Sequence, residues 1–143
     1  MDSKIIKKSK IINSLIYGLE LIIVVTILVL EYLSSFKAGV MRHLYSKKIE
    51  YLAKIYTEKG MMIHTIIIVF LFVTLAFVFK NSLSKKRKLN FIRFLLYVII
   101  LISGFYLPYM KDLNTYVYIL IFLEIFIGIE AMKLLLEKIK PQL

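Results

Sequence analysis

Long apolar stretches, separated by short charged segments, dominate the pattern of this chain. Each stretch is close to the ~20 residues that a helix needs to cross ~30 Å of hydrocarbon. We therefore predict an all-α integral membrane protein in which residues 1–143 form one transmembrane helical domain. The predicted spans cover residues 11–33, 61–80, 91–110 and 116–132.

The segment of residues 80–90, KNSLSKKRKLN, organises the predicted topology. It is strongly basic, contains no acidic residue, and lies between the second and third apolar stretches. Because Lys and Arg near the ends of spans favour the cytoplasmic side, we predict a cytoplasmic loop here. Both termini are then cytoplasmic, and the other two connections lie outside. The residues that anchor this topology are Lys85, Lys86, Arg87 and Lys88.

Residues 36–58 are too charged to span a membrane, yet apolar side chains recur among them at helical spacing. The opposite face is polar and basic, so we predict an amphipathic helix that lies in the outer interface. Gly39 and Gly60 are expected to interrupt this helix at its two ends. The apolar stripe consists of Met41, Leu44, Tyr45, Ile49, Leu52, Ile55 and Tyr56.

Composition and charge support the assignment to the membrane proteins and indicate the predicted partners. Hydrophobic residues make up 60% of the chain and the mean hydropathy is +0.81, well above the roughly 45–50% apolar content of soluble domains. The net charge of +11 comes mainly from residues between the apolar stretches. The predicted partners are therefore the bilayer and its anionic headgroups, not nucleic acid. The abundance of Lys and Ile favours a bacterial inner (cytoplasmic) membrane, with the chain as a multi-pass protein.

Two acidic residues fall within the predicted spans, at a similar calculated depth from the cytoplasmic side. They are Glu20 in the first span and Glu124 in the fourth. Intramembrane acids are costly and usually face the bundle interior or water, so this pair is a candidate site for proton or cation handling. The structural alternative is protonation, or a hydrogen bond to Tyr17, Tyr97, Thr74 or a partner subunit.

A third acid, Glu130, lies nearer the predicted inner interface, and Arg93 enters the third span at a similar level. We predict an ion pair between these two side chains, with a structural role.

Methionine and histidine concentrate on the predicted outer side. Thioether and imidazole ligands suit Cu(I), and imidazole alone suits Zn or haem, so an outer copper or haem site is one interpretation. The alternative is that Met fills apolar gaps and His is an interfacial polar group, in which case no cofactor is bound. The chain has no Cys, which excludes disulfides and thiolate ligands. The candidate ligands are Met41, His43, Met61, Met62 and His64.

Three classes of function are compatible with these patterns. Small size, few intramembrane polar groups and no recognisable catalytic motif favour a non-enzymatic accessory, regulatory or immunity-type subunit of a larger membrane complex. The second class is a small transporter or pore that uses Glu20 and Glu124; four spans enclose little space, so it requires a homo-oligomer or a partner. The third, ranked last, is a membrane enzyme that acts on lipid or quinone.

Overall fold

The structure is a computed structural model that describes residues 2–80 and 85–139, with side chains for residues 11–80 and 88–136. No β-strand occurs in these ranges, so the predicted all-α fold is confirmed there. The helices are α1 (Asp2–Phe36), α2 (Ala38–Lys54), α3 (Glu58–Phe79), α4 (Lys85–Tyr106), α5 (Pro108–Asp112) and α6 (Tyr116–Ile139).

Three helical segments are long and apolar enough to cross a membrane: Ile11–Phe36, Glu58–Phe79 and Lys88–Tyr106. These segments correspond to the first three predicted spans and identify a membrane protein. The last helix, α6, has 24 residues, and its apolar sequence is interrupted by charged side chains.

α6 lies at the centre of the bundle. It contacts α1, α2, α4 and α5, and its interface with α4 is the most extensive in the protein. The close approach of α4 to α6 depends on Gly104 of α4, because a Cβ there would lie 3.3 Å from Leu120 Cδ2 of α6. The buried Tyr116 hydroxyl donates to the Gly104 carbonyl over 3.0 Å and joins the same two helices. The buried side chains of α6 include Val117, Leu120, Leu123, Phe126, Ile127, Ala131 and Leu134.

α1 presents polar side chains to the bundle and apolar side chains away from it. Glu20 and Ser34 are buried, whereas Leu21 and Leu28 remain 66% and 64% exposed. Of the 18 consecutive residues that are most apolar in this helix, only 6% are buried. This distribution reverses that of a soluble helix and fits a helix surrounded by hydrocarbon, where polar side chains turn towards the protein interior.

The amphipathic segment is helical over a shorter range than predicted. α2 ends at Lys54 rather than at residue 58, because the chain turns before α3 begins. The breaks lie at Lys37 and at residues 55–57, so Gly39 and Gly60 lie inside helices instead of at the interruptions.

Much of the predicted apolar stripe of α2 faces away from the bundle. Leu44 is buried, but Met41, Tyr45 and Ile49 are each about half exposed. The helix instead presents Leu44 and its partly buried neighbours Lys47, Lys48 and Tyr51 to the protein.

α4 has different bounds from the predicted third span. Lys85 to Asn90 are helical, so the basic segment 80–90 contains the first turns of α4; residues 81–84 and the side chains of the proposed anchors Lys85, Lys86 and Arg87 lie outside the described residues. The third span was predicted to run to residue 110, but α4 ends at Tyr106. Leu107 is extended (ψ 122°) and Pro108 begins α5, because a residue before proline disfavours the helical conformation and proline fits the first helical turn.

Replacing Gly60 by alanine should destabilise the protein by about 1–3 kcal/mol, as overpacking usually does. A Cβ at this position would lie 2.1 Å from the Ile55 carbonyl oxygen, which is backbone and cannot rotate away. Thr57 caps α3 by accepting from Gly60 N at 3.1 Å, so the turn has little freedom to adjust. Unfolding by SDS in detergent, followed by far-UV circular dichroism, measures the effect.

Gly18→Ala is the matched control for this substitution. Gly18 lies within α1, and a Cβ there would meet no atom within 4 Å. Alanine has the higher helix propensity, so the control should be neutral or stabilising. Equal stability of the two variants would show that the turn after Ile55 adapts.

Candidate functional site

Three polar groupings join the helices. We call them the Glu130 cluster, the Glu31 joint and the His64 cleft. Each places side chains from helices that are distant in sequence within hydrogen-bond or ring-contact distance.

The Glu130 cluster connects α1, α4 and α6. Lys133 Nζ donates to Glu130 Oε1 at 2.9 Å, and the Glu130 side chain is fully buried. From α4, the Tyr97 hydroxyl donates to Glu20 Oε2 at 3.2 Å. The Glu20 carboxylate also lies within electrostatic range of Lys133, Glu130 and Arg93.

Two cations of the Glu130 cluster share one aromatic ring. The Arg93 guanidinium carbon lies 4.2 Å from the centre of the Tyr17 ring, and Lys133 Nζ lies 4.5 Å from it. Two carboxylates and two cations therefore balance in formal charge. Among the described residues, Glu20 Oε1 and Glu130 Oε2 are buried without a hydrogen-bond partner, so the cluster can still accept a proton or a cation.

Tyr97, which donates to Glu20, is one of the hydrogen-bond partners expected from the sequence, whereas His64 was not expected as the partner of Glu124. Glu20 lies near Glu130 and Lys133, whereas Glu124 contacts His64, so Glu20 and Glu124 are not brought together. Six residues separate Glu124 from Glu130, a rise of about 9 Å along a helix. In the described residues Glu130 pairs with Lys133, one turn along the same helix, and Arg93 lies over the Tyr17 ring.

The Glu31 joint holds the start of α6 against α1. Glu31 Oε2 accepts from Thr115 N and from Thr115 Oγ1, each at 2.8 Å, and Oε1 accepts from Asn114 N at 3.2 Å. Asn114 Nδ2 also donates to Ser34 Oγ at 3.1 Å. The carboxylate thereby bonds amides at the N-terminus of α6, where the helix dipole favours negative charge.

α2 contributes a cation to the same region. Lys48 Nζ donates to the Leu113 carbonyl at 2.9 Å and also to the Lys111 carbonyl. Sequence reasoning missed Glu31 and Lys48 as tertiary contacts. The available signal was an acid at the end of the first apolar stretch, opposite the start of the last one in the predicted topology.

The His64 cleft lies between α3 and α6. His64 Nδ1 lies 2.7 Å from Glu124 Oε1, and the two side chains are 28% and 27% exposed; to a Glu124 carboxylate, which can only accept, the ring donates from Nδ1. Buried Tyr56 packs beside the imidazole, with ring centres 5.5 Å apart. Burial, and then the neighbouring Glu124 carboxylate, raise the pKa of Tyr56 above its usual range, so this phenol stays protonated at neutral pH.

The rest of the His64 cleft is aliphatic. Its volume is about 270 Å³, and its lining comprises His64, Glu124, Ile67, Ile68 and Ile127. Ile68 is buried, but Ile67 is 59% exposed, so the cleft opens at the surface of α3.

The candidate metal ligands have different environments. Met61 is buried, Met41 and Met62 are about half exposed, and His43 is exposed on α2. His64 is bonded to Glu124. A search of the described residues found no group of three or more His, Asp or Glu side chains arranged to hold a metal ion.

The fold thus defines an all-helical membrane protein with polar contacts between its helices. Comparison of the chain with protein-family models, curated proteins and solved structures found no match. Function is therefore inferred from this geometry alone.

Proposed function

We propose that the chain is a four-span protein of a bacterial inner membrane, with both termini cytoplasmic, α6 as the fourth span and α2 in the outer interface. α6 has 24 residues, which corresponds to about 36 Å of helix, more than the ~30 Å of the hydrocarbon core. Two of its charged side chains are directed into the bundle: Glu124 bonds His64 of α3, and Glu130 is fully buried. The half-exposed stripe of Met41, Tyr45 and Ile49 on α2 suits the boundary between headgroups and acyl chains.

Its proposed role is that of a non-enzymatic accessory, regulatory or immunity-type subunit of a larger membrane complex. The observation that carries this proposal is the surface of α1. Within Ile11–Phe36, only 6% of the 18 consecutive residues that are most apolar are buried. The contacts of this helix through Glu20 and Glu31 are polar and leave its apolar faces free. A helix attached to its own bundle in this way can pack against a second membrane protein.

Site-specific photo-crosslinking in the native membrane tests this docking role. A photoreactive residue at Leu21 or Leu28 of α1 should give a protein adduct of defined mass, which mass spectrometry of the complex purified in mild detergent identifies. Phe70 of α3, which is 70% exposed, is the matched control and should label lipid. Lipid adducts alone from α1, together with a partner-free particle by light scattering, would refute the subunit role.

A second candidate function is proton or cation handling at the Glu130 cluster. It is favoured by the two buried carboxylate oxygens, Glu20 Oε1 and Glu130 Oε2, that lack a partner within the described part of the chain. A carboxylate inside a membrane bundle is commonly part of an ion or proton pathway. In this proposal Glu130, rather than Glu124, acts with Glu20. A pathway through so small a bundle would require several copies or a partner.

Flux measurements in proteoliposomes test the second candidate. Glu20→Gln should abolish dissipation of a pH or cation gradient, because the amide keeps the size of the side chain but does not ionise. Glu58→Gln is the control, since Glu58 is exposed in the first turn of α3. Flux that is unchanged by Glu20→Gln would eliminate the cluster as a transport site.

A further inference from the structure

We propose that the His64 cleft binds the head of an uncharged, membrane-soluble amphiphile through a hydroxyl or carbonyl oxygen. This ligand site is independent of the docking role of α1 and of the Glu130 cluster. Three features of the cleft support it: the bonding of the imidazole, the charge of Glu124, and the aliphatic lining that opens at the surface of α3.

The imidazole is oriented for ligand binding. Donation from His64 Nδ1 to Glu124 Oε1 at 2.7 Å fixes the ring and leaves Nε2 as the nitrogen that a ligand can bond. A neutral ring with its proton on Nδ1 accepts at Nε2 from a hydroxyl, and a protonated ring donates from Nε2 to a carbonyl. The contacts of the ring with Tyr56 and Phe105, at 5.5 and 6.4 Å between centres, restrict its rotation.

Charge selects against an anionic head. The Glu124 carboxylate borders the cleft next to His64, so beside a neutral ring a carboxylate or phosphate would face a like charge in a medium of low dielectric constant. Beside a protonated ring, whose charge Glu124 already balances, an entering anion would leave the cleft with a net negative charge. A neutral head avoids this repulsion and still bonds the imidazole. Fatty acids and anionic phospholipids are therefore disfavoured relative to lipid alcohols and quinones.

The dimensions and the opening indicate that the rest of the ligand stays in the bilayer. A volume of about 270 Å³ is slightly below the roughly 300–1,000 Å³ of pockets that enclose a whole drug-sized molecule. Ile67 at the mouth is 59% exposed, and its neighbours Ile63 and Ile66 are exposed too. If α3 spans the membrane, the cleft receives its ligand sideways from the hydrocarbon, with the tail remaining among the acyl chains.

Histidine NMR provides a direct test because the chain contains only two histidines. The full-length protein, labelled with ¹⁵N in its imidazole rings, is placed in lipid nanodiscs and titrated with decylubiquinone, dioctanoylglycerol or decanoate. The His64 nitrogen signals should shift with at least one of the two neutral probes, whereas those of exposed His43 should not. The neutral probe that shifts the His64 signals identifies the head of the ligand as a quinone or as a lipid alcohol.

Two isoleucine variants locate the binding. Ile67→Phe should fill the mouth of the cleft and weaken the His64 response at least about tenfold, while Ile66→Phe, beside it but outside the lining, should leave the response intact. If Ile67→Phe fails to fold, the titration of the unmodified protein still tests the proposal. No His64 shift with either neutral probe, an equal response to decanoate, or equal losses from the two variants would each overturn the proposal.

Discussion

Replacing Lys133 by methionine should destabilise the helix bundle by about 3–5 kcal/mol, the usual cost of leaving a buried charge without its partner. Lys133 Nζ is 2.9 Å from Glu130 Oε1, and the Glu130 side chain has no exposed surface. The methionine keeps most of the aliphatic length but leaves the carboxylate uncompensated. Because the chain contains no Trp, SDS-induced unfolding in detergent is followed by far-UV circular dichroism.

A second substitution distinguishes the stability lost with the ion pair from the stability lost with side-chain packing. Adding Glu130→Gln to Lys133→Met removes the unpaired charge, so the double variant should recover much of the lost stability. Lys54→Met is the exposed control, since Lys54 Nζ also pairs with an acid, Glu50, at 2.9 Å but is 71% exposed; surface pairs of this kind contribute little. If the double variant is no more stable than Lys133→Met, burial of the pair does not explain the effect.

Replacing Glu31 by alanine should cost roughly 2–3 kcal/mol, because hydrogen bonds to charged groups are stronger than neutral ones and their loss leaves donors unsatisfied. Two backbone amides, those of Asn114 and Thr115, and the Thr115 hydroxyl would lose their acceptor. Thr115 is only 1% exposed, so water cannot readily replace the carboxylate. SDS unfolding measures the loss, and hydrogen exchange should show faster exchange of the Asn114 and Thr115 amides.

The controls for Glu31 distinguish its bonds from its charge. Glu31→Gln keeps an acceptor and should lose less stability than Glu31→Ala. Asp112→Asn removes an exposed acid from the neighbouring α5 and should have little effect. Unchanged exchange at Thr115 in Glu31→Ala would mean that this amide does not depend on the carboxylate.

Much of the secondary structure could be predicted because it follows from local composition. The stretches 11–33, 61–80 and 91–110 each overlap one of the three helices that are able to span a membrane. The differences from the predicted bounds lie at Leu107 and at residues 55–57, where local backbone conformation rather than mean hydropathy ends a helix. Pro108, the first residue of α5, marks one of these ends in the sequence.

The candidate site was less predictable, because depth calculated from the start of an apolar stretch does not give the register between helices. The calculated depths put Glu20 and Glu124 at one level, yet Glu124 is bonded to His64, and only Glu20 has one of the expected partners, Tyr97. His64 was considered as a metal ligand and Glu124 as a proton site. Their contact across 60 residues could be identified only once α3 and α6 were packed.

By itself the sequence determined that this is a helical membrane protein, because hydrophobicity acts residue by residue and sums along each helix. It also singled out the acids within the apolar stretches, Glu20 and Glu124, since the cost of a charge depends on local surroundings. The tertiary structure alone decided the partners across helices: Thr115 for Glu31 and His64 for Glu124. Hydrogen bonds and ion pairs require alignment within a fraction of an ångström, and this alignment is set by the rotation and displacement of whole helices about the central α6.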